Sequence, residues 1–123
     1  MLTRWISARQ ARLNLDRAAA ARFRTAPLTW GGEDTAGERS VDLVLGADLT
    51  YNREAWPALV KTLRALRAPA LLSASERRPH ELSELEAYLR EAGFALAVLD
   101  SPIEHGYARD RVRLLRVSAR VPA

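Results

Sequence analysis

The sequence contains no cysteine, which excludes disulfides and thiolate metal sites and makes an intracellular, cytoplasmic home the expectation, with nucleus and mitochondrion left open. Its two histidines, His80 and His105, are far apart in sequence, which argues against a dedicated metal site. No apolar run approaches the ~20 residues of a membrane span. Acidic residues are scarce at the start: residues 1–24 hold Arg4, Arg9, Arg12, Arg17, Arg22 and Arg24 against Asp16 alone, a balance of +5. The remainder carries 13 basic and 14 acidic residues, a balance of −1. The excess positive charge therefore belongs to one end, and a nucleic-acid partner is not expected from it. An arginine-rich, acid-poor start is also how a mitochondrial presequence looks, but this one runs on without a small-residue cleavage site. A solvated arginine face accounts for it more simply.

What is present is globular. The 123 residues, 48% hydrophobic and 28% charged, suit a single soluble domain with one modest core. Residues 2–22 lack both Gly and Pro and read as a helix. Residues 23–29 read as a short strand ended by Trp30-Gly31-Gly32, and residues 33–40 as a loop. Asn52 can cap a helix over residues 53–67 that tolerates Pro57 in its first turn. On that helix Trp56, Leu59, Val60, Leu63 and Leu66 form one buried stripe, so Trp56 reads as core more than as a ligand contact. Residues 69–75 form a second apolar strand. Pro79 then opens a helix with Leu82, Leu85, Leu89 and Ala92 on one face and Gly93 as its terminator. Strands over 94–99 and 111–117 follow, joined by a loop that holds His105. The predicted order, α-β-β-α-β-α-β-β, implies parallel strands where helices intervene and an antiparallel hairpin at the end.

The organising stretch is Val41–Tyr51, Val-Asp-Leu-Val-Leu-Gly-Ala-Asp-Leu-Thr-Tyr. A short branched apolar run of this kind is a buried parallel strand. Its carboxyl end brings Gly46, Ala47, Asp48 and Tyr51 to the crevice where open α/β sheets bind ligands. On residue type alone each has a plain structural reading as well: Asp48 as a turn residue, Tyr51 as a half-buried core aromatic, Trp30 as a core residue or loop anchor. His105 could pass for a catalytic base but reads more simply as an exposed loop residue, and Arg77-Arg78 could meet an acidic partner but read more simply as a solvated helix entry.

This stretch, with the preceding Leu28-Thr-Trp-Gly31 and the following Leu59-Val-Lys-Thr-Leu63, resembles the lysine methyltransferase-like group of seven-β-strand, S-adenosylmethionine-dependent methyltransferases. The resemblance spans about residues 14–117 by order of elements. It implies a Rossmann-like sheet in the order 3-2-1-4-5-7-6, S-adenosylmethionine as cofactor and a protein lysine as methyl acceptor. By the same resemblance Trp30 would sit by the adenine, Gly46 and Ala47 would line the cofactor pocket, and Asp48 and Tyr51 would face the substrate nitrogen. Residues 73–78 would lie near the substrate entrance, with Glu76 where an arginine is more usual.

One departure is an absence. The family holds the methionine part of the cofactor at a glycine-rich loop after its first strand, and the glycines at 31, 32, 37, 46, 93 and 106 make no Gly-x-Gly run. The chain thus looks like the C-terminal two-thirds of the catalytic domain, lacking the first two strands, with residues 1–30 loosely placed. An exposed edge on the Val41–Ala47 strand would invite self-association. The expected function is therefore S-adenosylmethionine-dependent protein-lysine methylation by an incomplete catalytic domain. The alternative is a non-catalytic binding module derived from one. Methyl transfer from a sulfonium is an in-line displacement in which the protein mainly positions the reactants. A carboxylate such as Asp48 favours the ammonium form of an incoming lysine, so capture and orientation is the role expected of it.

Overall fold

The computed structural model describes residues 9–32, 41–99 and 112–119. Residues 9–14 are helical, followed by α1 (Arg17–Arg22), β1 (Val44–Ala47), a 3-10 turn (Arg53–Ala55), α2 (Trp56–Leu66), β2 (Ala70–Ser75), α3 (Glu81–Glu91), β3 (Phe94–Leu99) and β4 (Val112–Ala119). The sheet runs β1-β2-β4-β3. β1 and β2 are parallel, and β4 is antiparallel to both β2 and β3, so β1, β2 and β3 share one direction. The closing hairpin is present, with its second strand turned back to lie between β2 and β3. This is the order the resemblance implies for its strands four to seven.

Both crossovers step the same way across the sheet and are joined by helices, which places α2 and α3 on one face. Trp56, Leu59, Val60 and Leu63 of α2 and Leu82, Leu85 and Leu89 of α3 meet Ala70, Leu72, Ala74, Leu115 and Val117 in a single core. The period-2 pattern is plain in β2, where Ala70, Leu72 and Ala74 are buried and the residues between them half-buried. Arg67 and Gly93, both at positive φ, end the two helices, and Pro57 sits in the first turn of α2. Among the described residues the opposite face of β1 carries no such cover, and Leu43 and Leu45 are 48% and 72% exposed.

Three expectations need correction. The helix expected over 2–22 is interrupted at Leu15 and Asp16, because Asp16 turns extended and its Oδ1 accepts the Ala19 N–H at 2.7 Å, an N-cap that restarts the helix. Residues 1–8 lie outside the described residues. Residues 23–29 are not a strand: none of the four strands pairs with them, and an apolar run becomes a strand only where a ladder partner takes its backbone groups. β1 is also shorter than the apolar run that announced it. Its ladder opens with Val44 N–H on Pro69 O (2.9 Å) and closes with Asp48 N–H on Ser73 O (3.0 Å), so residues 41–43 precede the reach of β2. The expectations for residues 33–40 and for His105 fall outside the described residues.

Candidate functional site

The last ladder bond of β1 carries the chain straight into the residue of greatest chemical interest. Asp48 follows the strand in the left-handed region, φ 55°, a conformation that costs a non-glycine residue about 1 kcal/mol and that Asp and Asn tolerate best. The reversal is fixed from behind. Thr50 is buried at 3% exposure, and its carbonyl accepts the indole N–H of Trp56 at 2.9 Å. Asn52 then caps the next turn, its side chain accepting the Glu54 N–H. Tyr51, between these anchors, is left 53% exposed.

Arg77, two residues past β2, joins the two. One of its nitrogens lies 2.6 Å from Asp48 Oδ2, while its guanidinium carbon stands 5.1 Å from the centre of the Tyr51 ring. A carboxylate and an aromatic face thus hold one cation between them, a pairing that combines charge with ring-quadrupole attraction. The Arg77 and Asp48 side chains are each 53% exposed, so the contact is solvent-screened and easily displaced. Sequence reading placed Arg77 in a solvated helix entry. The pairing partner, 29 positions upstream, gives no local signal.

Beside Tyr51 lies a pocket of about 140 Å³ lined by Tyr51, Arg53, Trp56, Arg78, Pro79, Glu81 and Glu84. Asp48 is not among its walls. Trp56 is both core, as its stripe predicts, and pocket wall. Glu81, the first residue of α3, is buried at 8% exposure. Its Oε2 accepts the backbone N–H groups of Arg77 (3.3 Å) and Arg78 (3.1 Å). An acid at a helix start is usually a solvated partner of the helix dipole, which is why Glu81 did not stand out in the sequence.

Trp30 and Gly31 dock elsewhere, on α2. The Gly31 N–H donates to the buried Thr62 hydroxyl at 2.8 Å, its φ is 75°, and a side chain there would touch Ala58. Trp30 packs half-buried against the core. Gly46 has a packing reason of its own: a Cβ would come within 2.5 Å of Leu49 Cδ1 and 2.8 Å of Leu72 Cδ2. Ala47 is exposed. Of the five residues singled out in the sequence, Asp48 and Tyr51 are brought together through Arg77. Trp30, Gly46 and Ala47 share no wall of the pocket beside Tyr51. The described residues fit a cofactor only in part: Ala47 is exposed and Trp30 half-buried, whereas the space at Gly46 is filled from within by Leu49 and Leu72. Among the described residues no cluster of metal-binding side chains occurs, and no helix is long and apolar enough to cross a membrane.

Comparison with known proteins adds one finding to this geometry. A search of the curated proteins finds no match. A family model described as lysine methyltransferase matches residues 6–91, more than half of the chain and the whole of the segment that carries Trp30, β1, Asp48, Tyr51, Arg77 and Glu81. With strands in the order that half of such a sheet requires, and an acid and a phenol at the tip of its outer parallel strand, the chain belongs to the lysine methyltransferase family.

Proposed function

We propose that the chain supplies the acceptor side of an S-adenosylmethionine-dependent methyltransferase whose substrate is a lysine side chain of a protein. The observation that carries this reading is the cation held between Asp48 and Tyr51. A site that retains a guanidinium in this way has the chemistry to receive an alkylammonium in its place. Asp48 captures and orients the amine, and Tyr51 walls its approach. The proton leaves to water before the nitrogen attacks, and S-adenosylmethionine supplies an activated methyl group. Trp30 and Ala47, with the backbone of Gly46, are the surfaces the chain offers that cofactor. We further read residues 1–123 as one domain in which the described residues before Trp30 are loosely attached, the same expectation for residues 1–8 lying outside the described residues. All but Ala11 of the described residues before Trp30 are at least partly exposed.

The test is transfer of tritium from labelled S-adenosylmethionine, at millimolar concentration to offset the missing Gly-x-Gly loop, into poly-L-lysine and into its fully acetylated form. Label in the first only, lost in Asp48→Ala, supports the reading. Equal labelling of both, or none from protein shown to bind the donor, overturns it.

A second reading, a non-catalytic module, draws on the uncovered side of β1. Leu43 and Leu45 are exposed, and among the described residues β1 pairs on one side only. A strand edge with apolar flanks pairs readily with another strand, and a second copy of the chain is the simplest partner. Concentration-dependent dimerisation by analytical ultracentrifugation, lost in Leu45→Lys, together with no methyl transfer, would favour this reading over the first.

A further inference from the structure

The pocket beside Tyr51 contains a feature that the proposed reaction does not use. Glu81 is more than nine-tenths buried. Its Oε2 is taken up by two backbone N–H groups, yet its Oε1 is buried with no hydrogen-bond partner. A buried carboxylate oxygen left unpaired costs several kcal/mol in desolvation unless something donates to it. The remaining walls say what that donor is. Tyr51 presents exposed aromatic surface, Trp56 lines the wall as an almost wholly buried ring, Pro79 is apolar, and Glu84, paired with Arg53, adds a second carboxylate. Of the two cations in the lining, Arg53 is already engaged by Glu84 at 2.5 Å and lies over the Trp56 ring, while Arg78 is exposed. Carboxylate at depth, aromatic sides and an aliphatic wall suit a group with an alkyl stem and a terminal ammonium.

We propose that this pocket binds a basic side chain of the substrate protein close to the methylated lysine, with Glu81 Oε1 accepting from its ammonium. The proposal rests on the reading above for the identity of the substrate. The spacing is suitable for neighbouring side chains of one segment. Arg77 alone reaches from Glu81, through its backbone N–H, to Asp48, through its guanidinium, so the two carboxylates lie within one residue's length, and Tyr51 both lines the pocket and faces the Arg77 guanidinium that pairs with Asp48. The protein would then select lysines set in a doubly basic sequence.

The test uses n-butylammonium chloride, with n-butanol as its neutral counterpart, titrated into the 123-residue protein and followed through the Trp56 indole and Glu81 amide resonances. The expected result is saturable, millimolar binding of the ammonium alone, weakened about ten-fold in Glu81→Gln and retained in Asp48→Asn. Gln at 81 keeps an oxygen for the two backbone donors, and the wild-type titration decides the matter even if that variant folds poorly. No shift, equal shifts with butanol, or loss of binding in Asp48→Asn would overturn the pocket. In the methyl-transfer assay, replacing the basic neighbour of the acceptor lysine by norleucine should raise KM in wild type and leave it unchanged in Glu81→Gln. Ammonium binding without methyl transfer would sink the proposed function and leave the pocket standing, and transfer without ammonium binding would do the reverse.

Discussion

Replacing Gly46 by alanine separates packing from cofactor contact at the strand tip. The added methyl would lie 2.5 Å from Leu49 Cδ1 and 2.8 Å from Leu72 Cδ2, both well inside van der Waals contact. Leu49 is half-buried and can swing outward, but Leu72 is 1% exposed and locked into the core. Forcing a methyl into such a site costs about 1–3 kcal/mol. Alanine's narrower unfolded ensemble returns about 0.4–1 kcal/mol. The net expectation is a loss of about 1–2 kcal/mol, or a Tm lowered by roughly 4–8 °C for a domain of this size. Urea unfolding followed by tryptophan fluorescence should show a lower midpoint at unchanged slope. Truncating the mobile partner relieves half of the clash, so Gly46→Ala with Leu49→Ala should be less damaging than the two single changes added together, by about 1 kcal/mol. An alanine variant of wild-type stability that has lost affinity for S-adenosylmethionine would refute the packing argument and make Gly46 a cofactor-facing residue.

Removing Arg77 with alanine should free Asp48 and Tyr51 for the acceptor and lower its KM about two- to ten-fold, given the modest worth of an exposed ion pair and cation–π contact; an unchanged or raised KM in steady-state kinetics would count against the guanidinium as an occupant of the amine seat. Because Asp48 sits at φ 55°, Asp48→Gly should be more stable than Asp48→Ala by about 1 kcal/mol in denaturant titrations, although both lose methyl transfer. Thr62→Val leaves the Gly31 N–H without its acceptor and should cost about 1 kcal/mol, with faster hydrogen exchange at Gly31 and a red-shifted Trp30 emission; unchanged exchange there would mean that the Trp-Gly segment is held by something else.

Where the sequence was readable, the reason was local periodicity. Leu82, Leu85 and Leu89 declare the buried face of α3, Gly93 its end, and the apolar run before Asp48 a strand, because each signal is complete within a few residues; that this strand is half-exposed and not buried depends on what covers it, which its own residues do not declare. The misses share a different cause. Residues 23–29 have the composition of a strand, but a strand is a pairing, and no ladder partner can be read from its own sequence. The break at Asp16 lay hidden in a segment of strong helix propensity, since a capping side chain competes with the helix through one hydrogen bond. Val44 begins β1 only because β2 begins at Ala70.

The candidate site divides in the same way. Asp48 and Tyr51 were visible as a motif at a strand tip, and Arg77 only as one of residues 73–78 near the expected substrate entrance, because its pairing with Asp48 spans 29 positions. Glu81 was visible only as an acid at a helix start. Its spacing of three from Arg78, whose backbone N–H it accepts, was a faint signal that the side chain folds back instead of reaching out to water. Thr62, one place off the apolar stripe of α2, carries no local signal because its partner is a backbone group on a distant turn.

The central claim is that the tip of β1 presents an acid and a phenol to a lysine side chain. Its most direct test is to locate the transferred methyl group by tandem mass spectrometry. A lysine-containing peptide would be incubated with S-adenosylmethionine and wild-type protein, Asp48→Asn or Tyr51→Phe. The account predicts methylation at the lysine Nζ by wild type and at least a ten-fold fall in both variants. Methyl groups on any other atom, or yields indifferent to both substitutions, would contradict it.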